Sequence, residues 1–180
     1  MIEREVKIEF TEKENPLELL RGLNPLEESD WAFEDNWVVD YPDGRLKERG
    51  LLFRLRKSGE RWFLTFKKPP AGAPDPRFKT LEEWQTEMGE GEGFLGVLAE
   101  LGLLPVFRYQ KFRKDFHFPG GIASLDRTPF ALFIELEGSE EFIFRFTRGL
   151  GKSPEDFLTS NYHTLFRERG GEGDMVFPSR

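Results

Sequence analysis

From its start the chain alternates. Positions Ile2, Val6, Ile8 and Phe10 are apolar, with Arg4 the exception, while Glu3, Glu5, Lys7 and Glu9 between them are ionisable. That period of two predicts a strand. A second strand is predicted over residues 35–41, closed by the turn residues Pro42-Asp43-Gly44. Residues 51–57 and 61–68 flank Ser58-Gly59-Glu60 as a hairpin. Further strands are predicted over 81–88, 106–116, 122–126 and 132–137. Helical spacing marks 16–23, 94–103 and 140–150, and a last helix is predicted over 153–167, opened by Ser153 as cap, Pro154 and Asp156. The Pro-rich run at 69–76 is too short for a linker, so one domain is expected over 1–170 with a flexible tail over 171–180. About eight strands with few helices, not in regular alternation, give an α+β class with a mostly antiparallel sheet.

The parity carries more than the fold class. Lys7, Arg54 and Arg56, Lys67, and Lys111 and Arg113 take alternate positions on their strands, as do Glu3 and Glu5, and Glu135 and Glu137. One charged pair is the ordinary mark of a solvated face. Here basic and acidic pairs segregate onto different strands, which a closed barrel with a polar lumen also produces, and segregation points to a site. Six cations facing four carboxylates, with Asp126 nearby, suit a polyanion together with a hard divalent cation. Arg forks and Lys point charges hold phosphate, and carboxylates hold Mg²⁺ or Mn²⁺. A lysine of lowered pKa would orient or deprotonate an attacking water.

Composition narrows the partners. The 180 residues carry 33 acidic and 26 basic side chains, a formal charge of −7, so a basic nucleic-acid or membrane surface is not expected. There is no Cys and there are two His, which removes thiolate chemistry and leaves no His-rich metal site. His117 and His163 lack a ligand spacing. The 19 Phe supply enough apolar area for a core. No secretory signal pattern opens the chain, and a cytoplasmic location is expected. Gly91-Glu92-Gly93-Phe94-Leu95-Gly96 fits a dinucleotide fingerprint, but its acids would repel a pyrophosphate, and it reads as a loop and helix start.

Glu3-Arg4-Glu5-Val6-Lys7 is the ExExK signature of the CYTH superfamily of triphosphate tunnel metalloenzymes. It is followed in order by Pro42-Asp43-Gly44-Arg45-Leu46, Arg54-Leu55-Arg56, Leu64-Thr65-Phe66-Lys67, Lys111-Phe112-Arg113, Leu125-Asp126, Glu135-Leu136-Glu137 and Ser160-Asn161-Tyr162. Over nearly its whole length the chain resembles that superfamily. The resemblance implies an eight-stranded antiparallel tunnel, closed or nearly so, with flanking helices. It implies Glu3, Glu5, Glu135 and Glu137 as metal ligands, with Asp126 in or beside them. Lys7, Arg54, Arg56, Lys67, Lys111 and Arg113 would line the phosphate path, and Lys7 and Lys111 would take part in catalysis. Two stretches depart from the family pattern. Leu81 and Gln85 stand in a strand where Arg-x-Glu-x-Glu is common, leaving Glu83 or Glu87 to contribute, and Trp37-Val38-Val39 lacks an aromatic hydroxyl. The implied activity is metal-dependent hydrolysis of a triphosphate such as tripolyphosphate, thiamine triphosphate or ATP. Cyclisation of ATP to cyclic AMP is the alternative, and a polyphosphate-binding module without turnover is the third.

Overall fold

The computed structural model describes residues 2–178. Strand β1 (Ile2–Phe10) turns its apolar side chains outward, and Val6, Ile8 and Phe10 are buried there beneath helices α1 (Pro16–Gly22) and α4 (Glu140–Gly149). Glu3, Glu5 and Lys7 point the other way and are buried as well. Alternation therefore marks an inside and an outside of a ring, both shielded from solvent, rather than a wet and a dry face.

The remaining strands are β2 (Glu27–Glu28), β3 (Ala32–Asp40), β4 (Leu52–Ser58), β5 (Arg61–Lys68), β6 (Lys79–Met88), β7 (Leu104–Phe118), β8 (Gly121–Arg127) and β9 (Leu132–Gly138). All pair antiparallel in the order β7-β3-β4-β5-β6-β1-β9-β8, and β8 returns to β7, so eight strands close a barrel. β2 is a two-residue addition to the edge of β7. Three more helices flank the barrel: α2 (Arg45–Glu48), α3 (Glu92–Glu100) and α5 (Tyr162–Glu168). No helix among the described residues is long and apolar enough to cross a membrane.

Apolar clusters beneath α4 and α3 lie outside the ring. Phe142, Ile143 and Phe146 of α4 pack on β1, β8 and β9, and the helix starts at Ser139, whose hydroxyl accepts from Phe142 N at 3.1 Å. Gly121 is where the helix comes nearest the sheet, since a Cβ there would lie 2.5 Å from Phe142 Cδ1. Leu98 of α3 packs with Val39, Leu55 and Trp62 on the opposite side, where Trp37 stacks on Trp62 at 5.2 Å. Trp62 thus serves the outer wall, as its parity opposite Lys67 requires.

The C-terminal part departs from the sequence reading. The helix expected over 153–167 is two pieces. Ser153, Pro154 and Asp156 do make a cap, but only of a 3₁₀ turn (Pro154–Asp156), after which Leu158 pairs with Lys7 through backbone bonds of 2.9 and 2.8 Å. That pairing takes the edge of β1 where β6 has ended. The segment expected as a flexible tail packs on the barrel. Met175 is fully buried and pairs with Tyr109, its amide donating to Arg108 O and its carbonyl accepting from Gln110 N at 2.9 and 2.8 Å. Ser179 and Arg180 lie outside the described residues. Met175→Ala is expected to cost about 2–5 kcal/mol in urea unfolding, as for other buried large-to-small changes. A loss under about 0.5 kcal/mol would mean that the segment contributes no packing.

Candidate functional site

The lumen is a cavity of about 910 Å³, and Glu3, Glu5, Lys7, Arg54, Arg56, Lys67, Lys111, Arg113, Glu135 and Glu137 all line it. The closed ring thus brings together side chains up to 134 positions apart in sequence. Asp126 is the exception among the residues singled out from the sequence: it does not line the cavity and is 0% exposed. Four donors enclose it. Lys111 Nζ reaches it at 2.8 Å, Arg113 Nε and Nη2 at 2.7 and 2.6 Å, and the Tyr162 hydroxyl at 2.6 Å. Asp126, expected in or beside the metal ligands, thus stands here as the anchor of two cations and a tyrosine hydroxyl.

Sheet order separates the charges. Strand β1 lies opposite β3 in the ring, with β4, β5 and β6 between them one way and β7, β8 and β9 the other. Glu3 and Glu5 on β1, Glu83 on β6, and Glu135 and Glu137 on β9 form an acidic wall. Arg54 and Arg56 on β4 and Lys111 and Arg113 on β7 form a basic wall around β3. The acidic wall contains lysines of its own. Lys7 Nζ lies 2.9 Å from Glu5 and 3.3 Å from Glu135, Lys79 Nζ is 2.7 Å from Glu5, and Lys67 bridges Glu3 and Glu83.

Burial and partners set the protonation. Burial pushes the Glu3 carboxyl up to about 7 against the pull of Lys67, with Glu5 and Glu83 adding to the rise. Glu137 is raised by burial and by Glu5 beside it, its neighbour across the β1–β9 pairing. Burial would raise Glu5 also, but Lys7 and Lys79 outweigh it and hold that carboxyl below the usual range. Lys7 is not a lysine of lowered pKa. Burial would lower it, yet Glu5 and Glu135 keep its pKa above that of an ordinary lysine, so it is a fixed charge at neutral pH. Lys79 is the lumen lysine with a lowered pKa, through burial and the nearby Lys7 and Lys67.

The donor set is compatible with a hard divalent cation. It is all carboxylate oxygen, and at Glu3 and Glu137 burial and the nearby Glu5 disfavour the charged form, a cost that a cation would relieve. Among the described residues no three acidic or His side chains already stand together as a metal-binding group, because lysines sit between them.

Neutral side chains brace the arginines of the basic wall, and among them Tyr109 was not singled out from the sequence. Tyr109 accepts at its hydroxyl from Arg54 Nη1 at 2.9 Å, Thr65 accepts from Arg54 Nη2 at 3.2 Å, and Gln85 accepts from Arg56 Nη2 at 2.9 Å. Arg54 has no carboxylate within ion-pair distance among the described residues, and its Nε is buried without a partner. Tyr162 lies under both Lys7 and Lys111, each ammonium 5.2 Å from the ring centre. Glu83 faces the lumen beside Lys67, while Glu87 pairs with Arg61 at 3.8 Å, both of them exposed. His163 packs on Phe107 at the cavity wall, and its pKa is lowered by burial and by Lys47 and Arg167.

No curated protein matches the chain in sequence. Solved structures share its fold. A conserved hypothetical protein from Pyrococcus furiosus superposes with a TM-score of 0.76 at 22% identity, over 91% of this chain and 99% of that one. A "putative adenylate cyclase" from Vibrio parahaemolyticus gives 0.77 at 17% identity, over 93% and 98%. The "putative adenylyl cyclase HpAC1" from Hippeastrum, described with a dominant triphosphatase activity, gives 0.67 at 15% identity, over 95% and 96%. The sequence profile of the CYTH domain matches residues 1–145, which include every strand of the barrel and stop short of the C-terminal segment that carries Tyr162. The chain belongs to the CYTH domain family.

Proposed function

We propose that the protein is a divalent-metal-dependent triphosphatase that binds a triphosphate along the basic wall and hydrolyses a phosphoanhydride bond. The separation of a basic wall from an acidic one within a single cavity carries this reading. The activities named for the Vibrio and Hippeastrum structures, cyclase and triphosphatase, both act on triphosphates and fit it. Arg54, whose hydrogen bonds go to two neutral hydroxyls, exchanges them most readily for phosphoryl oxygens. Arg56 and Arg113 add guanidinium forks and Lys67 a point charge. Lys7 and Lys111, held by carboxylates and by the Tyr162 ring, donate to the phosphoryl group under attack and orient the water. The water oxygen bonds to phosphorus, the bridging P–O bond breaks with its electron pair going to the leaving phosphate, and the water proton passes to solvent or product. Glu3, Glu5, Glu135 and Glu137 would hold Mg²⁺ or Mn²⁺, which supplies positive charge against the phosphoryl oxygens when bound.

Incubation with tripolyphosphate, thiamine triphosphate or ATP, each with Mg²⁺ or Mn²⁺, followed by ion chromatography tests the reading. Orthophosphate release is expected. Cyclic AMP with pyrophosphate would make the protein a cyclase, tight binding without product would make it a binding module, and neither binding nor product would contradict the lumen's assignment. Glu5→Gln and Glu135→Gln are each expected to raise the metal concentration for half-maximal activity at least about tenfold. Unchanged metal titrations in both would remove them as ligands.

A further inference from the structure

The strand at the centre of the basic wall carries an acid. Glu34 on β3 faces the lumen at 5% exposure, with Lys111 its partner across the β3–β7 pairing. Its Oε1 accepts from Arg56 Nη1 at 3.1 Å. Its Oε2 stands 3.6 Å from Lys111 Nζ and is buried without a hydrogen bond. Glu34 is surrounded by cations, as Glu135 is on the opposite wall, but it stands at the centre of the basic one. Burial would raise its carboxyl, but Lys111, Arg113, Arg56 and Arg54 bring it down to about 2, so it is an anion throughout the working pH range. Asp126 already neutralises Lys111 and Arg113 from behind, so among these cations it is Arg56 that takes its ion pair from Glu34.

We propose that Glu34 is a specificity-determining residue that limits how many phosphoryl groups the lumen accepts, its carboxylate standing on the basic wall where a further phosphoryl group would otherwise lie. This rests on the triphosphate reading of the lumen. A chain of three groups takes the cations that Glu34 leaves available, Arg54 foremost. A fourth group brings its charge against a carboxylate already seated between Arg56 and Lys111. Like charges placed together in a buried site discriminate strongly, and removing the charge relaxes the discrimination.

Steady-state kinetics on tripolyphosphate and tetrapolyphosphate with Mg²⁺ tests this in the wild type, Glu34→Gln, Glu34→Ala and Glu34→Asp. The wild type is expected to favour tripolyphosphate at least about tenfold in kcat/KM. Glu34→Gln and Glu34→Ala should shrink that preference about tenfold, chiefly through a lower KM for the longer chain, and Glu34→Asp should keep it. Equal use of both chains by the wild type would overturn the proposal, even if a neutral variant failed to fold. So would an unchanged ratio in the neutral variants with both activities falling together, since Glu34 would then only brace Arg56 and Lys111. If neither polyphosphate is hydrolysed, the hydrolase reading fails separately. Calorimetric Kd values for the two anions then decide on Glu34: a shifted affinity ratio in Glu34→Gln supports it, and an unshifted one overturns it.

Discussion

Asp126→Ala is expected to destabilise the fold by about 3–5 kcal/mol and to abolish triphosphate binding. The substitution removes the common acceptor of Lys111, Arg113 and the Tyr162 hydroxyl, a carboxylate itself closed to water. Two buried cations would lose their main counter-ion, and Arg113 would keep only Glu135. Leaving charged donors unsatisfied costs more than the net worth of the bonds they made, because the desolvation penalty remains. Tyr162 would also lose the bond that fixes its ring beneath Lys7 and Lys111, so binding and stability should fall together. Urea unfolding at neutral pH measures the first effect and calorimetry the second. Asp126→Asn, which keeps the shape and one acceptor, should lie between wild type and Asp126→Ala. A loss under about 1 kcal/mol in Asp126→Ala would show that solvent or rearrangement supplies what Asp126 does.

Arg54→Ala is expected to do the reverse, weakening triphosphate binding about a hundredfold with stability changed by no more than about 1 kcal/mol. In the absence of substrate its guanidinium bonds, among the described residues, to the Tyr109 and Thr65 hydroxyls, which can turn to other partners. With substrate it would make one or two charge-assisted bonds, each worth about 1.5–3 kcal/mol, and a hundredfold corresponds to about 2.7 kcal/mol. Arg54→Lys should recover part of the affinity, since a point charge replaces the fork. Calorimetric titration with tripolyphosphate and Mg²⁺ reads the change. A loss under about threefold would move the principal anion contact elsewhere on the wall.

Parity along the strands made most of this lumen legible. Lys7, Arg54, Arg56, Lys67, Lys111, Arg113 and the Glu pairs of β1 and β9 were placed on one face by alternation alone, and ring closure buries that face. Two charged residues were missed at strand ends. Strand β3 begins at Ala32, but Glu34-Asp35-Asn36 puts three polar residues in succession and obscures the period, so a start at 35 passed over Glu34. Lys79 opens β6 shortly after the Pro-rich loop, and a start at 81 passed over it. Asp126 shows a different limit. Its presence on the lumen side was legible, but whether it would hold a metal or hold cations depends on donors from β7 and α5 that sequence order does not bring near it. Lys7 shows the same limit, for its raised pKa comes from Glu135 on another strand as well as from Glu5. In the C-terminal part the local signals were real and were outweighed. Ser153, Pro154 and Asp156 cap a turn, yet pairing of Leu158 with β1 ends the helical path before Asn161 starts it again by accepting from Thr164 N at 2.9 Å.

The net charge of −7 is an average over two surroundings. Four cations converge on the basic wall, and the acids of β1, β6 and β9 stand opposite them. A crystal structure of the protein with Mn²⁺ and a non-hydrolysable triphosphate analogue tests this arrangement most directly. The expected result is phosphoryl oxygens against Arg54, Arg56, Lys111 and Arg113, with anomalous density for Mn²⁺ between the analogue and carboxylates drawn from Glu3, Glu5, Glu135 and Glu137. An analogue bound outside the lumen, or Mn²⁺ held at Asp126, would contradict it.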